Sequence, residues 1–581
     1  MKIYQKLKLY AGEKIGYAYC SIFLSFLASL FLLLPYWLLW GFLKELVLVQ
    51  NIKNVRYYAT WIVIFMMIYG IFYFLSLWCS HLLAFRLETN LRKEGIKHLL
   101  NASFSFFEKN SSGKIRKLID DNASETHTIV AHLLPDLVGT ALLPLGMVII
   151  FFRIDIILGC SLLFMIGIGI WQLKDMMGEQ EFMKTYMISL EKMNAEAVEY
   201  VRGMQVIKIF NTTIQSFKAF YDAILSYSNY ALHYSMSCRR AYVWFQVLFH
   251  LFITFPLPIA ILFMRHGANE KLVLIKIIFY VIFAGLLFLA FMRVMYVGMY
   301  HFQALEVISK LEALFDEMER NNVTYGKLEQ ANHFDLEFKK VSFCYEEQYV
   351  CKELSFQLKE KKTYALVGSS GGGKSTIAKL LSGFYSVQEG EILLGGKNIK
   401  EYSETFLSKH IAFVFQNSKL WKKTIFENVK MGREDASYEE VMKALEKAQC
   451  EDILNKFEER ENTLIGAKGV YLSGGEIQRI AIARAILKNA DIVILDEASA
   501  AADPENEYEL QRAFSNLMKD KTVIMIAHRL SSIQNVDEIL VIDQGSIIER
   551  GNHKELMANK SRYADLQKFF SEANDWRIAN D

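Results

Sequence analysis

The chain has 581 residues, a formal net charge of +2, 52% hydrophobic and 14% aromatic residues, and seven cysteines. So balanced a charge gives no reason to expect nucleic acid as a partner. The cysteines form no CxxC or His/Cys cluster, and Cys20, Cys79 and Cys160 fall inside apolar runs, which argues against a disulfide framework or a zinc site.

Apolar runs recur through the first three hundred residues, at 17–43, 57–85, 133–152, 156–173, 241–264 and 272–299. Each has about the length, roughly 20 residues, that a helix needs to cross a bilayer. Six such runs, separated by alternating short and long polar segments, fit a membrane domain better than a buried globular core. The connections after the first, third and fifth runs are short (KELVLVQNIKNVR, RID, RHGANEK). Those after the second and fourth are long, charged and helix-like, at about 86–131 and 174–240. Arg86, Arg92, Lys93, Lys97, Lys109, Lys114, Arg116 and Lys117 crowd the first of these, and Lys2, Lys6, Lys8 and Lys14 crowd the N-terminus. An excess of cations marks the cytoplasmic side, so these segments are expected there, and an even number of spans returns the chain to the cytoplasm. The first run is too long for a signal peptide and has no small-residue cleavage site, so it is expected to be retained.

Polar residues inside the runs are candidates for a substrate path: His250 in the fifth and Arg293 in the sixth. Arg293 can also snorkel to the interface, and His250 can simply bond a neighbouring helix. Pro256 and Pro258 are expected to break or kink the fifth span. Trp244 and Phe245 read as ordinary lipid-facing or interfacial aromatics.

After Met299 the composition changes. HFQALEVISKLEALFDEMERNN continues as an amphipathic helix, NNVTYGKLEQANH reads as a polar linker, and the domain boundary is placed near Gly326. Beyond it strands and helices alternate. The expected organisation is an all-α transmembrane domain over 1–310, a linker over 311–333, and an α/β P-loop domain over 334–581.

TYALVGSSGGGKSTIAKLL reads as a buried strand, a glycine-rich turn and a helix. Gly368, Gly371 and Gly373 let backbone N–H groups point at phosphate oxygens, Lys374 reaches the β- and γ-phosphates, and Ser375 offers its hydroxyl to Mg²⁺. ADIVILDEASA is a second apolar strand running into two acids; Asp496 is placed to hold Mg²⁺ through water, and Glu497 to polarise the attacking water. KTVIMIAHRL delivers His528 at the end of a third strand, and IAFVFQNS delivers Gln416. In YLSGGEIQRIAIARAIL, two glycines behind a serine open a helix whose amides can meet an anion. One domain thus carries two anion cradles a hundred residues apart.

Taken together, these residues resemble the ATP-binding cassette (ABC) family, and the resemblance covers the whole chain. Six spans with long cytoplasmic loops and one cassette look like a half-transporter of the exporter-type fold. Tyr345 in VSFCY matches the aromatic that stacks on adenine, and Gly368, Ser369, Ser370, Gly371, Gly372, Gly373, Lys374, Ser375 and Thr376 match Walker A. Gln416 matches the Q-loop, which with Ser375 and Asp496 is implied to serve Mg²⁺. Leu472, Ser473, Gly474, Gly475 and Glu476 match the signature, Glu497 the catalytic carboxylate, Asp503 the D-loop and His528 the switch histidine.

The resemblance implies that the signature of one cassette completes the γ-phosphate site of another, so one polypeptide holds two half-sites. It implies an ATPase with ATP and Mg²⁺, coupling hydrolysis to movement of a small molecule across the cell membrane, with the bilayer and a second half-transporter as partners. Segments 104–125 and 195–211 are similar to the coupling regions of exporter-type proteins. Ala500, Ala501 and Ala502 depart from the usual D-loop, and EYVRGM with ADPENE is similar to a siderophore-importing branch that works as heterodimers, which tilts the partner expectation toward a different half-transporter. Export is the expectation for the fold, and uptake of a metal chelate the expectation for that branch. The alternative function is an ATP-gated channel or regulatory subunit on the same scaffold. With no peptidase domain before the first span, a leader-processing peptide exporter is not expected.

Overall fold

The computed structural model describes residues 2–176, 180–204, 208–209, 218–254, 256–266, 269–320, 322–345, 348–416, 418–466, 469–496, 504–527, 533–559 and 561–569. Two compact units emerge. One comprises Met1–Leu100 and Ser112–Asp316, and the other Asn101–Ser111 and Glu317–Asp581.

The first unit is helical. After α1 (Lys2–Ala11), the apolar runs fall in α2 (Gly16–Lys44), α3 (Ile52–Leu100), α5 (Ser112–Ile154), α6 (Ile156–Met176), α8 (Lys218–Thr254) with α9 (Pro256–Arg265), and α10 (Glu270–Glu319). The intervening α4 (Phe104–Lys109) belongs to the second unit and α7 (Gln180–Arg202) to the first. Among the described residues five stretches are long and apolar enough to cross a membrane, and a further apolar helix, Ile156–Gln172, is shorter. The break or kink expected at Pro256 and Pro258 falls next to residue 255, which lies outside the described residues; both prolines stand in the first turn of α9.

Small residues bring the helices together. Ser21, Ser25 and Ser29 lie one turn apart on the buried side of α2, and Ser76 and Ser80 on that of α3. Ser76 Oγ donates to the Ser21 carbonyl at 2.8 Å. Inside α5, Pro135 cannot donate to the Ala131 carbonyl four residues back; Ser80 Oγ donates to that oxygen instead, at 2.9 Å. The expectation for the Trp244–Phe245 pair holds only in part. Trp244 is exposed, but Phe245 is buried against Phe249, Phe288 and Phe291, because consecutive helical residues point about 100° apart.

In the second unit, β1 (Leu336–Tyr345), β2 (Gln348–Leu358), β4 (Glu389–Leu394) and β5 (Lys397–Asn398) form an antiparallel sheet in the order β2-β1-β4-β5. A six-stranded sheet runs β10-β9-β3-β8-β7-β6, with β3 (Thr363–Val367), β6 (Ile411–Val414), β7 (Ile492–Asp496), β8 (Thr522–Ile526), β9 (Glu538–Asp543) and β10 (Ser546–Gly551). All neighbours in it pair parallel except β9 with β10. Both faces of the parallel strands are covered: Tyr364 and Leu366 enter one apolar cluster, Ala365 and Val367 the other.

Register decides where the chemistry collects. Leu366 pairs with Ile526, Ile526 with Asp496, and Leu495 with Val414. The carboxyl ends of β3, β8, β7 and β6 are therefore level, and the segments leaving them begin on one edge, where ligands of open α/β sheets bind.

Candidate nucleotide site

β3 ends in the turn 368–373 and α11 (Lys374–Leu381) follows. Three glycines of the turn, Gly368, Gly371 and Gly373, have positive φ. Gly368 has φ +145°, and a Cβ there would lie 2.0 Å from the Ile542 carbonyl oxygen. Gly373 has φ +101° and opens α11. Lys374 is buried and curls back on the loop, its Nζ donating to the carbonyls of Gly368 (2.9 Å) and Ser369 (2.7 Å). Burial pushes its ammonium below the ordinary lysine pKa, and the charge of Asp496 works against that shift.

A cavity of about 670 Å³ opens beside this turn, lined among others by Tyr345, Ser370, Gly371, Lys374, Ser375 and Gln416. Gly373 and Thr376 also face it. Tyr345 stands edge-on to Phe343 and Tyr385 with centroids 5.0 and 5.7 Å apart. One basic side chain, a hydroxyl, an amide and an aromatic plane around a backbone nest suit a nucleoside triphosphate. Ser375 and Gln416 supply oxygens to the same space, and the field of Asp496 reaches Lys374, so hard oxygen donors of the kind Mg²⁺ takes are present there.

The signature residues stand apart from that cavity. Ser473 caps α16 (Gly474–Lys488) in a reciprocal capping box: its N–H donates to Glu476 Oε2 at 2.7 Å, and its Oγ accepts from the Glu476 N–H at 3.4 Å. Burial raises the Glu476 pKa, but its bonds to Lys456 and Ser473 prevail and hold it below the usual carboxylate range. Ser473 and Gly474 are exposed, and none of Leu472, Ser473, Gly474, Gly475 and Glu476 lines the cavity beside Lys374. Glu497, Asp503 and His528 lie outside the described residues, as do Ala500, Ala501 and Ala502; the strands leading to Glu497 and His528 end level with β3.

Three features escaped the sequence reading. Arg479, on α16, is fully buried and bonds both carboxylate oxygens of Asp452, at 2.9 and 2.8 Å, and the Gln449 carbonyl. A lone arginine inside an apolar helical face was the only signal. Asn428, also fully buried, closes the turn before α13 (Ile425–Lys430) through the Trp421 and Thr424 backbone and receives Arg484. Finally, the segment 104–125 divides at Ser111: α4 packs within the second unit and the remainder starts α5. Phe104 stacks on Phe384 (4.5 Å) and on Phe415 (5.9 Å), the residue before Gln416. Glu108 bonds Lys379 and Tyr385, and burial, with Glu108 next, raises the Tyr385 pKa. The segment 195–211 falls in part outside the described residues.

Of the two intramembrane candidates, His250 is exposed on α8. Arg293 Nε lies 3.5 Å from Asp136 Oδ1, to which the Tyr73 hydroxyl donates at 3.3 Å.

The ABC transporter family profile matches residues 351–500, and that of the ABC transporter transmembrane region matches 18–291. A Haemophilus influenzae (strain 86-028NP) protein named ATP-dependent lipid A-core flippase is 34% identical over 512 residues, 86% of this chain and 85% of that protein. The chain belongs to the ABC transporter family. An ABC protein of the same name from Pectobacterium atrosepticum is 45% identical over 261 residues, 44% of this chain and 45% of that protein. The solved structure of a bacterial Atm1-family ABC exporter with ATP bound aligns with TM-score 0.74 and 25% identity, over 96% of this chain and 97% of that one. This ABC transporter has the exporter-type half-transporter architecture, an α-helical membrane domain followed by an α/β cassette. It is an ATPase coupled to transport, and a multi-pass membrane protein with a C-terminal ABC domain. The siderophore branch and the tilt toward a heterodimer find no support among these relatives, which are named as flippases and an exporter.

Proposed function

We propose that this chain is one half of an ABC exporter that pairs with a second copy of itself and moves an amphiphilic lipid from the cytoplasmic to the outer leaflet. The observation that carries the pairing is the separation, within one cassette, of the cavity at Lys374 from the exposed capped turn at Ser473. Each lacks what the other offers, so a head-to-tail pair would hold two complete sites. The name carried by the flippase relatives, together with the Atm1-family exporter likeness, supports a lipid and the outward direction.

Within the site, Tyr345 stacks on adenine, while the amides of 368–373 and Lys374 hold the phosphates. Ser375, Gln416 and, through water, Asp496 would hold Mg²⁺, which offsets phosphate charge when bound. Glu497 orients and deprotonates the attacking water and His528 contacts the γ-phosphate. ATP favours the closed pair and phosphate release the open one, which biases the membrane helices between two states.

The test is reconstitution into vesicles with the cassettes outside and a labelled lipid in the outer, cassette-facing leaflet. Label moving to the inner leaflet only with Mg-ATP, and not in Glu497→Gln, is expected. ATP-driven uptake of a ferric chelate with the lipid static would overturn the reading.

A further inference from the structure

The elbow between α1 and α2 is fixed against the other helices. Gly12 turns it with φ +56°, Asn90 Nδ2 donates to the Tyr10 carbonyl at 2.8 Å, and Lys6 is ion-paired with Glu312. This places Lys14 beside the end of the second apolar run. A recess of about 300 Å³ forms there, lined by Lys14, Tyr17, Leu82, Phe85, Arg86 and Thr89. The last four share one face of α3 at helical spacing.

Two observations point to an anionic amphiphile. First, the cations are unneutralised. Among the described residues neither Lys14 nor Arg86 makes an ion pair, since Glu88 is taken by Arg92 at 2.7 Å and by His127 at 3.1 Å, and Glu13 does not pair with Lys14. The Lys14 ammonium sits 5.5 Å from the Tyr17 ring centroid, and the Thr89 hydroxyl donates to the Phe85 carbonyl. Second, the wall is apolar and open: Leu82 is 41% and Phe85 59% exposed. Lys14 precedes the first span and Arg86 follows the second, so the recess stands at the cytoplasmic interface, where basic pockets between spans meet anionic headgroups.

We propose that this recess binds an anionic glycerophospholipid of the cytoplasmic leaflet, its phosphate between Lys14 and Arg86 and an acyl chain along Leu82 and Phe85. The site is separate from the nucleotide cavity and does not depend on which solute is moved.

Native mass spectrometry of the full chain, purified with phosphatidylglycerol or phosphatidylcholine, tests it. The wild type retains phosphatidylglycerol preferentially, and K14Q/R86Q loses about tenfold of that binding. K14R/R86K keeps it, which separates charge from misfolding, and ATP binding is the same in all three. Inorganic phosphate at millimolar concentration does not displace the lipid. Equal retention in K14Q/R86Q, equal retention of phosphatidylcholine by the wild type, or displacement by free phosphate would each overturn the proposal.

Discussion

Lys374 spends its hydrogen bonds on the carbonyls of Gly368 and Ser369, which keeps a buried ammonium satisfied, and in the proposed function it exchanges them for phosphate oxygens. Lys374→Ala is therefore expected to weaken ATP binding by about tenfold or more, as loss of a charge-assisted contact does; a fluorescent-nucleotide titration measures this. Glu497→Gln keeps binding but lowers turnover by about a hundredfold or more, the span of general-base catalysis. Normal hydrolysis by that variant would remove Glu497 from its role. Arg479 makes a different demand. With Asp452→Ala the fully buried guanidinium loses its bidentate partner, and the cassette is expected to lose about 2 kcal/mol of stability, less than for a wholly buried pair because Asp452 is half exposed. Denaturant unfolding reads the loss, and an unchanged midpoint would contradict it.

At the scale of elements, α4 is bound by aromatic stacking and Glu108 to the layer that carries Tyr345 and Gln416, while the chain on either side of it runs straight into α3 and α5. Glu108→Ala with Phe104→Ala should leave basal ATP turnover nearly intact but cut its stimulation by lipid about fivefold. Stimulation equal to wild type would refute that link. The glycine turn, β7 with its terminal acid and the capped α16 were legible in the sequence because their signals are local: a strand, a turn and a cap written within a dozen residues. The sequence placed Phe104 and Glu108 in a segment similar to a coupling region, but it did not name their partners. Lys379 lies 271 positions from Glu108, and no periodicity in either segment names the other. The same holds for Asp136, which accompanies Arg293 from another helix, and for Ser80, which serves the carbonyl that Pro135 leaves bare. Pro135 announces an orphaned acceptor, but only packing says which hydroxyl arrives.

For the whole molecule, the carboxyl ends of β3, β6, β7 and β8 are level on one edge, and the signature turn at Ser473 does not line the cavity beside Lys374. Alternating apolar runs and charged loops disclosed the membrane domain, because crossing a bilayer imposes a length and a charge bias that any sequence must show. Which solute is carried left no comparable trace, since cavity shape arises from distant side chains. The claim on which the account rests is that hydrolysis needs two chains. Nanodiscs loaded with one subunit or with two, separated by mass and assayed with Mg-ATP, measure it most directly. Turnover per chain is expected to fall to background in single-subunit discs and to be full in paired ones; a lone subunit hydrolysing ATP at the paired rate would contradict the account.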